Sequence, residues 1–280
     1  MSELLRAENI SFAYSGAAAL SEVSLSLAAG EIVAVVGPNG SGKSTLLKAL
    51  LGHLRASGVI EWEGTPVRRW GARALAKLVA YLPQSPTWLA GQSVAEALAV
   101  GRSAYWGMLG LESEGDEKAV AAAAATLGIT DLLDRGMDQL SGGQRQTVLL
   151  GRCLVQEPRA MLLDEPDTFL DLKHQSDLCG LLRKLARERA IGVLMASHDL
   201  NLAGELADRI VLLNAGKVAA IGAPRDVLKE EVLESVYGVA MERIERRGGG
   251  VWIGRKAEGA SDAIGAGPST SLRAGKGDIT

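Results

Sequence analysis

Three groups of residues in this sequence have the types and the spacing to do chemistry. The first is Gly37-Pro38-Asn39-Gly40-Ser41-Gly42-Lys43-Ser44-Thr45. Its glycines let the backbone curl so that successive N–H groups point inward, an arrangement suited to the phosphates of a nucleoside triphosphate. A helix starting there adds its partial positive charge. Lys43 has the reach for the outer phosphates, and the Ser44 hydroxyl is a ligand suited to Mg²⁺. The second group is the acidic pair closing "RAMLLDE". Asp164 is suited to hold Mg²⁺ through its water shell, and Glu165 to polarise an attacking water as general base. Acidic residues also end strands without doing chemistry, so the pair gains its meaning from the phosphate loop.

The third group lies in "QLSGGQRQ", Gln139 to Gln146. Ser141-Gly142-Gly143 at a helix start reads either as an ordinary N-cap or as a second phosphate-seeking loop. Gln144, Arg145 and Gln146 then supply further donors expected to face the same way. His198, after the apolar run "IGVLMAS", is placed to hydrogen-bond a γ-phosphate, against the ordinary role of a satisfied polar residue. His53 and His174 have no such placement and are read as structural. The three histidines and two cysteines show no metal-ligand spacing.

Such residues need a scaffold that delivers them to one edge. "EIVAVVG", "RAMLLDE", "IGVLMASHD" and "DRIVLLNAG" are continuous apolar runs of the kind buried on both faces of a parallel sheet. Helix-like segments separate them, including "KSTLLKALLG", closed by Gly52, and "KHQSDLCGLLRKLARER". "NISFAY", "EVSLSL" and "GVIEWEG" alternate like strands with one solvated face. From about 86 to 156 the pattern is mostly helical. The expectation is an α/β fold: a mostly parallel core sheet, an antiparallel β-subdomain in front and an inserted α-helical subdomain. Residues 255–280, rich in Gly, Ala and Ser, are expected to be disordered.

Composition narrows the partners. The chain has 280 residues, a net charge of −3 and 47% apolar residues, so no bulk charge advertises nucleic acid or an anionic membrane. Cys153 and Cys179 lie in helix-like segments and fit a reducing compartment as small buried side chains. The N-terminal "MSELLRAENI" lacks a signal-peptide pattern, and no window has the roughly 18 to 20 apolar residues of a spanning helix.

Taken together, the motifs resemble the nucleotide-binding subunit of an ATP-binding-cassette (ABC) transporter, a P-loop NTPase. "GPNGSGKST" resembles the Walker A motif, "RAMLLDEP" Walker B with its catalytic glutamate, and "LSGGQRQ" (Leu140, Ser141, Gly142, Gly143, Gln144 and onward) the family signature. Gln84 in "YLPQ" falls at the Q-loop glutamine, which implies roles in catalysis and in holding the metal. Asp171 closes a "TFLD" D-loop, His198 fits the switch histidine, and Tyr14 resembles the aromatic that stacks on adenine. The resemblance covers about residues 4 to 254 and implies one ATP-binding domain over 1–254, using ATP and Mg²⁺.

It also implies that two copies meet head to tail, the signature loop of one closing over the nucleotide of the other. The second glycine loop would then bind γ-phosphate in trans. Further partners implied are two transmembrane permease subunits and, indirectly, a substrate-binding protein, with the chain on the cytoplasmic face of the membrane. "TFLDLKHQ", "SHDLNLA", "SVAEALAVGRSAYWGMLG" and "VYGVAMERIERRGGGVWIGR" resemble the importer branch for iron-siderophore, haem and cobalamin uptake. Asp167 and Phe169 depart from the residues usual after the Walker B proline. The alternative is a soluble cassette ATPase, for example in iron–sulfur cluster assembly. A DNA-repair member would carry a long coiled coil, and no heptad run appears between Gln84 and Leu140.

Overall fold

The computed structural model describes residues 2–106, 113–168, 170–245 and 250–256. At its centre is a six-stranded sheet of β3 (Ile32–Val36), β6 (Val79–Leu82), β7 (Ala160–Asp164), β8 (Gly192–Ser197), β9 (Arg209–Asn214) and β10 (Lys217–Gly222), in the order β10-β9-β3-β8-β7-β6. All neighbours are parallel except the β9–β10 hairpin. Ile32 pairs with Val193 and Val36 with Ser197, while Asp164 pairs with Ala196. The phosphate loop, Glu165 and His198 each follow one of these strands, so all three leave the sheet at its C-terminal edge. In parallel α/β sheets that edge is where ligands sit.

Period-two alternation explains why the strands are apolar throughout. Met161, Leu163, Val193 and Met195 face one core, shared with α3 (Val94–Ala99), α4 (Glu114–Leu127), α5 (Gly142–Val155) and α6 (Leu172–Arg189). Leu162, Leu194, Ala196, Val33 and Val35 face the other core, shared with α1 (Lys43–Leu50) and the antiparallel sheet. β3, β7 and β8 are therefore buried on both sides, whereas the edge strand β10 alternates between exposed and half-buried positions. A third core sits at the β9 end, where Val36, Ile210 and Leu212 meet α7 (Leu200–Leu206), α8 (Pro224–Val227) and α9 (Glu230–Tyr237).

The antiparallel sheet has the order β2-β1-β4-β5, from β1 (Glu3–Tyr14), β2 (Ala17–Ala28), β4 (Ser57–Trp62) and β5 (Thr65–Pro66). Trp62 is fully buried and its indole N–H donates to the Leu50 carbonyl at 2.9 Å, which pins the sheet to the end of α1. A two-stranded ribbon, β11 (Met241–Glu245) with β12 (Val251–Arg255), closes the described chain.

Between β6 and β7 the described regular elements are helical. Ser93 caps α3 and Glu96 reaches back to the Ser93 N–H, a capping box that fixes the helix start. Arg102 is buried and bonds Asp116 at 2.8 Å, the Val155 carbonyl at 3.0 Å and Glu157 at 2.7 Å, which ties the end of α3 to α4 and α5. This helical part is continuous in packing with the sheet, since α5 contributes Val148, Cys153 and Leu154 to the same core as Met161 and Val193.

Several elements differ from the sequence expectation. The segment "RALAKLVAYLPQ" holds α2 (Ala72–Leu78) followed directly by β6, and strands β5, β10, β11 and β12 were not anticipated. The disorder expected for 255–280 does not extend to Arg255, which closes β12, or to Lys256, whose N–H donates to the Ala240 carbonyl. Positions 257–280 lie outside the described residues, as does Phe169. Both cysteines are free and buried, and burial pushes their thiols up, to about 12 for Cys153 and about 11 for Cys179. No described helix is long and apolar enough to cross a membrane.

Candidate functional site

The phosphate loop is shaped by close backbone approach. A Cβ at Gly37, where φ is +150°, would lie 2.1 Å from the Leu213 carbonyl oxygen. One at Gly42, the N-cap of α1 with φ +105°, would lie 2.7 Å from that of Ala19. Only glycine fits either place. Lys43 is buried and arches back over the loop, its ammonium donating to the carbonyls of Gly37 at 2.9 Å and Pro38 at 3.3 Å. Burial lowers its pKa, against the opposing charges of Glu165 and Asp164.

One residue on, the Ser44 hydroxyl donates to Asp164 Oδ1 at 3.0 Å. Asp164 is buried, which pushes its carboxyl above the ordinary range, while the Ser44 bond pulls the other way. Glu165 adopts φ +50°, uncommon for a residue with a side chain, as its N–H donates to the Ala196 carbonyl at 2.9 Å. Such strain persists where surrounding contacts over-determine it. Its Oε2 accepts from the Gln84 amide at 2.9 Å and lies 3.7 Å from His198 Nδ1. Gln84, just past β6, thus reaches the carboxylate of Glu165.

Lys43, Ser44, Gln84, Glu165 and His198 border one open cleft of about 870 Å³, together with Tyr14, Asn39, Gly40 and Thr45. Asp164 stands behind Ser44, joined to the cleft through that hydroxyl. Tyr14, 47% exposed, stands at the end of β1 in edge contact with Phe12. The structure also brings in Tyr237 from α9, which sequence reasoning did not single out. Its hydroxyl is buried without a hydrogen-bond partner among the described residues, and burial raises its pKa to about 12. Its signal lay in "VYG", read only as a family likeness.

Ser141 does not border this cleft. It caps α5, its hydroxyl accepting from the Gln144 N–H at 3.2 Å while Gln144 Oε1 accepts from the Ser141 N–H at 3.1 Å. Ser141 and Gly142 are exposed, with Leu140 and Gly143 buried beside them. Of the donors expected to face the same way as the loop, Gln144 stays beside Ser141, whereas Arg145 and Gln146 do not. Arg145 donates to the carbonyls of Met137 and Leu140 and lies over the Trp88 ring, and Gln146 donates to the Pro166 carbonyl at 2.8 Å. Each is turned into the chain by the helical period.

Asp171 caps α6, its Oδ1 accepting from the His174 N–H at 2.9 Å and lying 2.7 Å from His174 Nδ1. His174 is thus a structural histidine, as expected, tied to the cap of α6. Asp167, the departure noted after the Walker B proline, is buried and accepts from the Ser197 hydroxyl at 2.9 Å, while Ser197 itself accepts from the Asp199 N–H. That bond joins the segment after Glu165 to the residue preceding His198. The second oxygen of Asp167 is buried without a hydrogen-bond partner among the described residues.

Comparison with known proteins agrees with this geometry. Residues 20–168 match the family described as ABC transporter. The chain is 41% identical over 227 residues to the hemin import ATP-binding protein HmuV of Nocardia farcinica, covering 81% of this chain and 78% of that one. It is 36% identical over 236 residues to the ferric enterobactin transport ATP-binding protein FepC of Escherichia coli K12, covering 84% and 87%. A solved inward-facing structure, described as of metal-chelate type, superposes with a TM-score of 0.82 at 29% identity over 92% of this chain and 99% of that one. With its strand order, its phosphate loop and its paired carboxylates, the chain belongs to the ABC transporter family.

Proposed function

We propose that the chain is the ATP-hydrolysing subunit of an importer, acting as a homodimer beneath two permease subunits at the cytoplasmic face of the membrane. The observation that carries this is a division: Lys43, Ser44, Gln84, Glu165 and His198 gather around one cleft with Asp164 bonded behind Ser44, while Ser141 lies outside it. A cleft of that kind holds a triphosphate on one side and leaves its outer face open to a second copy.

In this reading Tyr14 stacks on the adenine, and the N–H groups of Gly37 to Thr45 with the Lys43 ammonium take the phosphates. The Ser44 hydroxyl and Asp164 fit Mg²⁺, both being hard oxygen donors already 3.0 Å apart, with the carboxylate buried. Gln84 joins them through its amide oxygen, since its N–H₂ is engaged with Glu165. Mg²⁺, when bound, neutralises charge on the β- and γ-phosphate oxygens. Glu165 accepts a proton from the attacking water. As the water oxygen bonds to the γ-phosphorus, the bond to the bridging β-phosphate oxygen breaks, and ADP and phosphate leave. His198 donates to the γ-phosphate, and Gln84 orients Glu165.

Ser141 with the Gly142 and Gly143 amides serves the nucleotide of the second copy. Charge-assisted hydrogen bonds of about 1.5–3 kcal/mol each hold the pair closed while γ-phosphate is present. Hydrolysis removes them, and the copies part, which is how a ligand-dependent two-state difference does work. Residues 1–254 form the ATP-binding domain, with 86–156 as the inserted helical part that grips the permeases.

The names of HmuV and FepC support haem or iron-siderophore as cargo. Cobalamin belongs to the same group on sequence likeness alone. These relatives are transport proteins, which leaves the cluster-assembly alternative without support from them. The test is co-purification with permease subunits encoded beside it, followed by ATPase assay in lipid. ATPase activity is expected to rise with a loaded binding protein. A chain that never associates with a membrane complex overturns the importer reading.

A further inference from the structure

The geometry points to His174 as a positioning residue that sets the signature loop against the D-loop, so that both reach a second copy in register. This rests on the two-copy reading above. Three observations converge on the ring. Asp171 Oδ1 holds it through two bonds, at 2.9 Å from the backbone N–H and 2.7 Å from Nδ1. The Asp171 carboxyl lies below the ordinary carboxylate range because it accepts from the His174 backbone N–H and then from its side chain. An ionised carboxylate only accepts, so Nδ1 is the donor in this contact.

The other side of the ring meets Gly143. A Cβ built there would lie 2.5 Å from Cδ2, 2.6 Å from Nε2 and 2.7 Å from Cγ of His174. A side chain at the second signature glycine would therefore have to displace the imidazole, which fills that space. Position 143 is the second residue of α5, two after Ser141, so the ring abuts the turn that presents the serine hydroxyl.

Deeper in, α5 and α6 share one core through Val148, Cys153, Leu178 and Leu182, but beside the ring the junction is hollow. A cavity of about 440 Å³ lies beside the ring, lined by Thr147 and Leu150 of α5 and Leu181 and Lys184 of α6. A second polar tie, Gln146 to the Pro166 carbonyl, holds α5 to the segment after Glu165 rather than to α6. His174 therefore works as a spacer: one edge fastened to Asp171, the other wedged under Gly143. Without it, Ser141 and Asp171 lose their fixed separation while the nucleotide cleft of the same chain, which His174 does not border, is untouched.

The experiment uses the Glu165→Gln chain, in which ATP-driven pairing accumulates. His174→Asn keeps a donor near the Nδ1 place and loses the ring; His174→Phe keeps the ring and loses the donor. ATP-dependent dimer formation is followed by sedimentation, and nucleotide binding to the single chain by a fluorescent ATP analogue at low protein concentration. The ATP needed for half-maximal pairing is expected to rise about tenfold in His174→Asn and about fivefold in His174→Phe, within the range of site-to-site couplings. Single-chain nucleotide affinity stays at the parent value in both. Pairing at the parent's ATP concentration in both variants overturns the spacer role and leaves the two-copy reading standing. Nucleotide affinity falling in step with pairing overturns it too, since the effect is then not confined to the signature loop. A Glu165→Gln parent that never pairs overturns both.

Discussion

The Gln84 amide donates to Glu165 Oε2 at 2.9 Å, across 81 positions of sequence, so the residue at the root of the helical part touches the carboxylate proposed above to activate water. Any shift of the 83–92 segment moves that hydrogen bond. Glu165→Gln removes the base but keeps the shape, while Lys43, Ser44 and Asp164 survive. Turnover is expected to fall by at least about a hundredfold, the usual reach of general-base catalysis, with ATP binding retained and a closed dimer accumulating. Single-turnover kinetics and sedimentation check it. Nearly unchanged turnover would remove Glu165 from the base role.

The separation of Ser141 from the cleft predicts complementation. A Ser141→Arg chain and a Lys43→Ala chain are each expected to be inactive, yet a mixed dimer keeps one intact composite site and regains part of the activity. Heterodimers isolated through two different tags supply the measurement. No recovery in a demonstrated heterodimer would mean that the loop acts on its own chain's nucleotide.

How much of this was legible beforehand depends on range. The phosphate loop, Asp164, Glu165 and His198 were readable because each lies at the end of an apolar run whose burial fixes its edge. Strand β6 was hidden because α2 ends at Leu78 and β6 begins at Val79 with no turn residue between. The β11–β12 ribbon pairs across positions 246–250, where only three-dimensional contact reveals a partner. Arg145 and Gln146 were misread because donor chemistry was weighed without helical direction; the carbonyls of Leu140, Met137 and Pro166 claim them. His174 was dismissed for lacking an apolar strand before it, whereas its partners are a helix cap and a glycine of another helix.

The two loop glycines Gly37 and Gly40 should respond differently to alanine. At Gly37 the new Cβ would meet the Leu213 carbonyl at 2.1 Å, forcing the loop or β9 to move. At Gly40 nothing lies within 4 Å, and only its φ of +78° is costly, by about 1 kcal/mol. Thermal melts are expected to place Gly37→Ala well below Gly40→Ala. Equal melting temperatures would contradict the packing of the loop on β9.

Leu89 is 74% exposed next to Trp88, whose ring is engaged by Arg145. An apolar side chain so open, five residues past Gln84, suits a contact with the permeases. Leu89→Glu is expected to leave the melting temperature nearly unchanged, since exposed substitutions cost within about 0.5 kcal/mol. Recovery of the permeases in pull-down should fall sharply. Wild-type recovery would place the docking contact elsewhere.

Acid sensitivity should trace to Asp116. Its Oδ1 accepts from Arg102 at 2.8 Å and its Oδ2 from the Ser113 N–H and hydroxyl at 2.9 Å each. Arg102 first, then the Ser113 N–H, hold the carboxyl below its ordinary range. A folded-state pKa depressed in this way gives stability that is present above the unfolded value, near about 4, and lost as pH falls through the folded one. Asp116→Asn removes the charge and so forfeits that stability at neutral pH. Charged hydrogen bonds of this kind put the expected loss at roughly 5 °C in melting temperature. As pH falls below about 4 the unfolded wild-type chain takes up the proton first, so the gap between the two melting curves should narrow, closing as pH falls through the folded value. A gap that stays constant from pH 7 down to pH 3 would show that shape, rather than the ion pair with Arg102, is what Asp116 contributes.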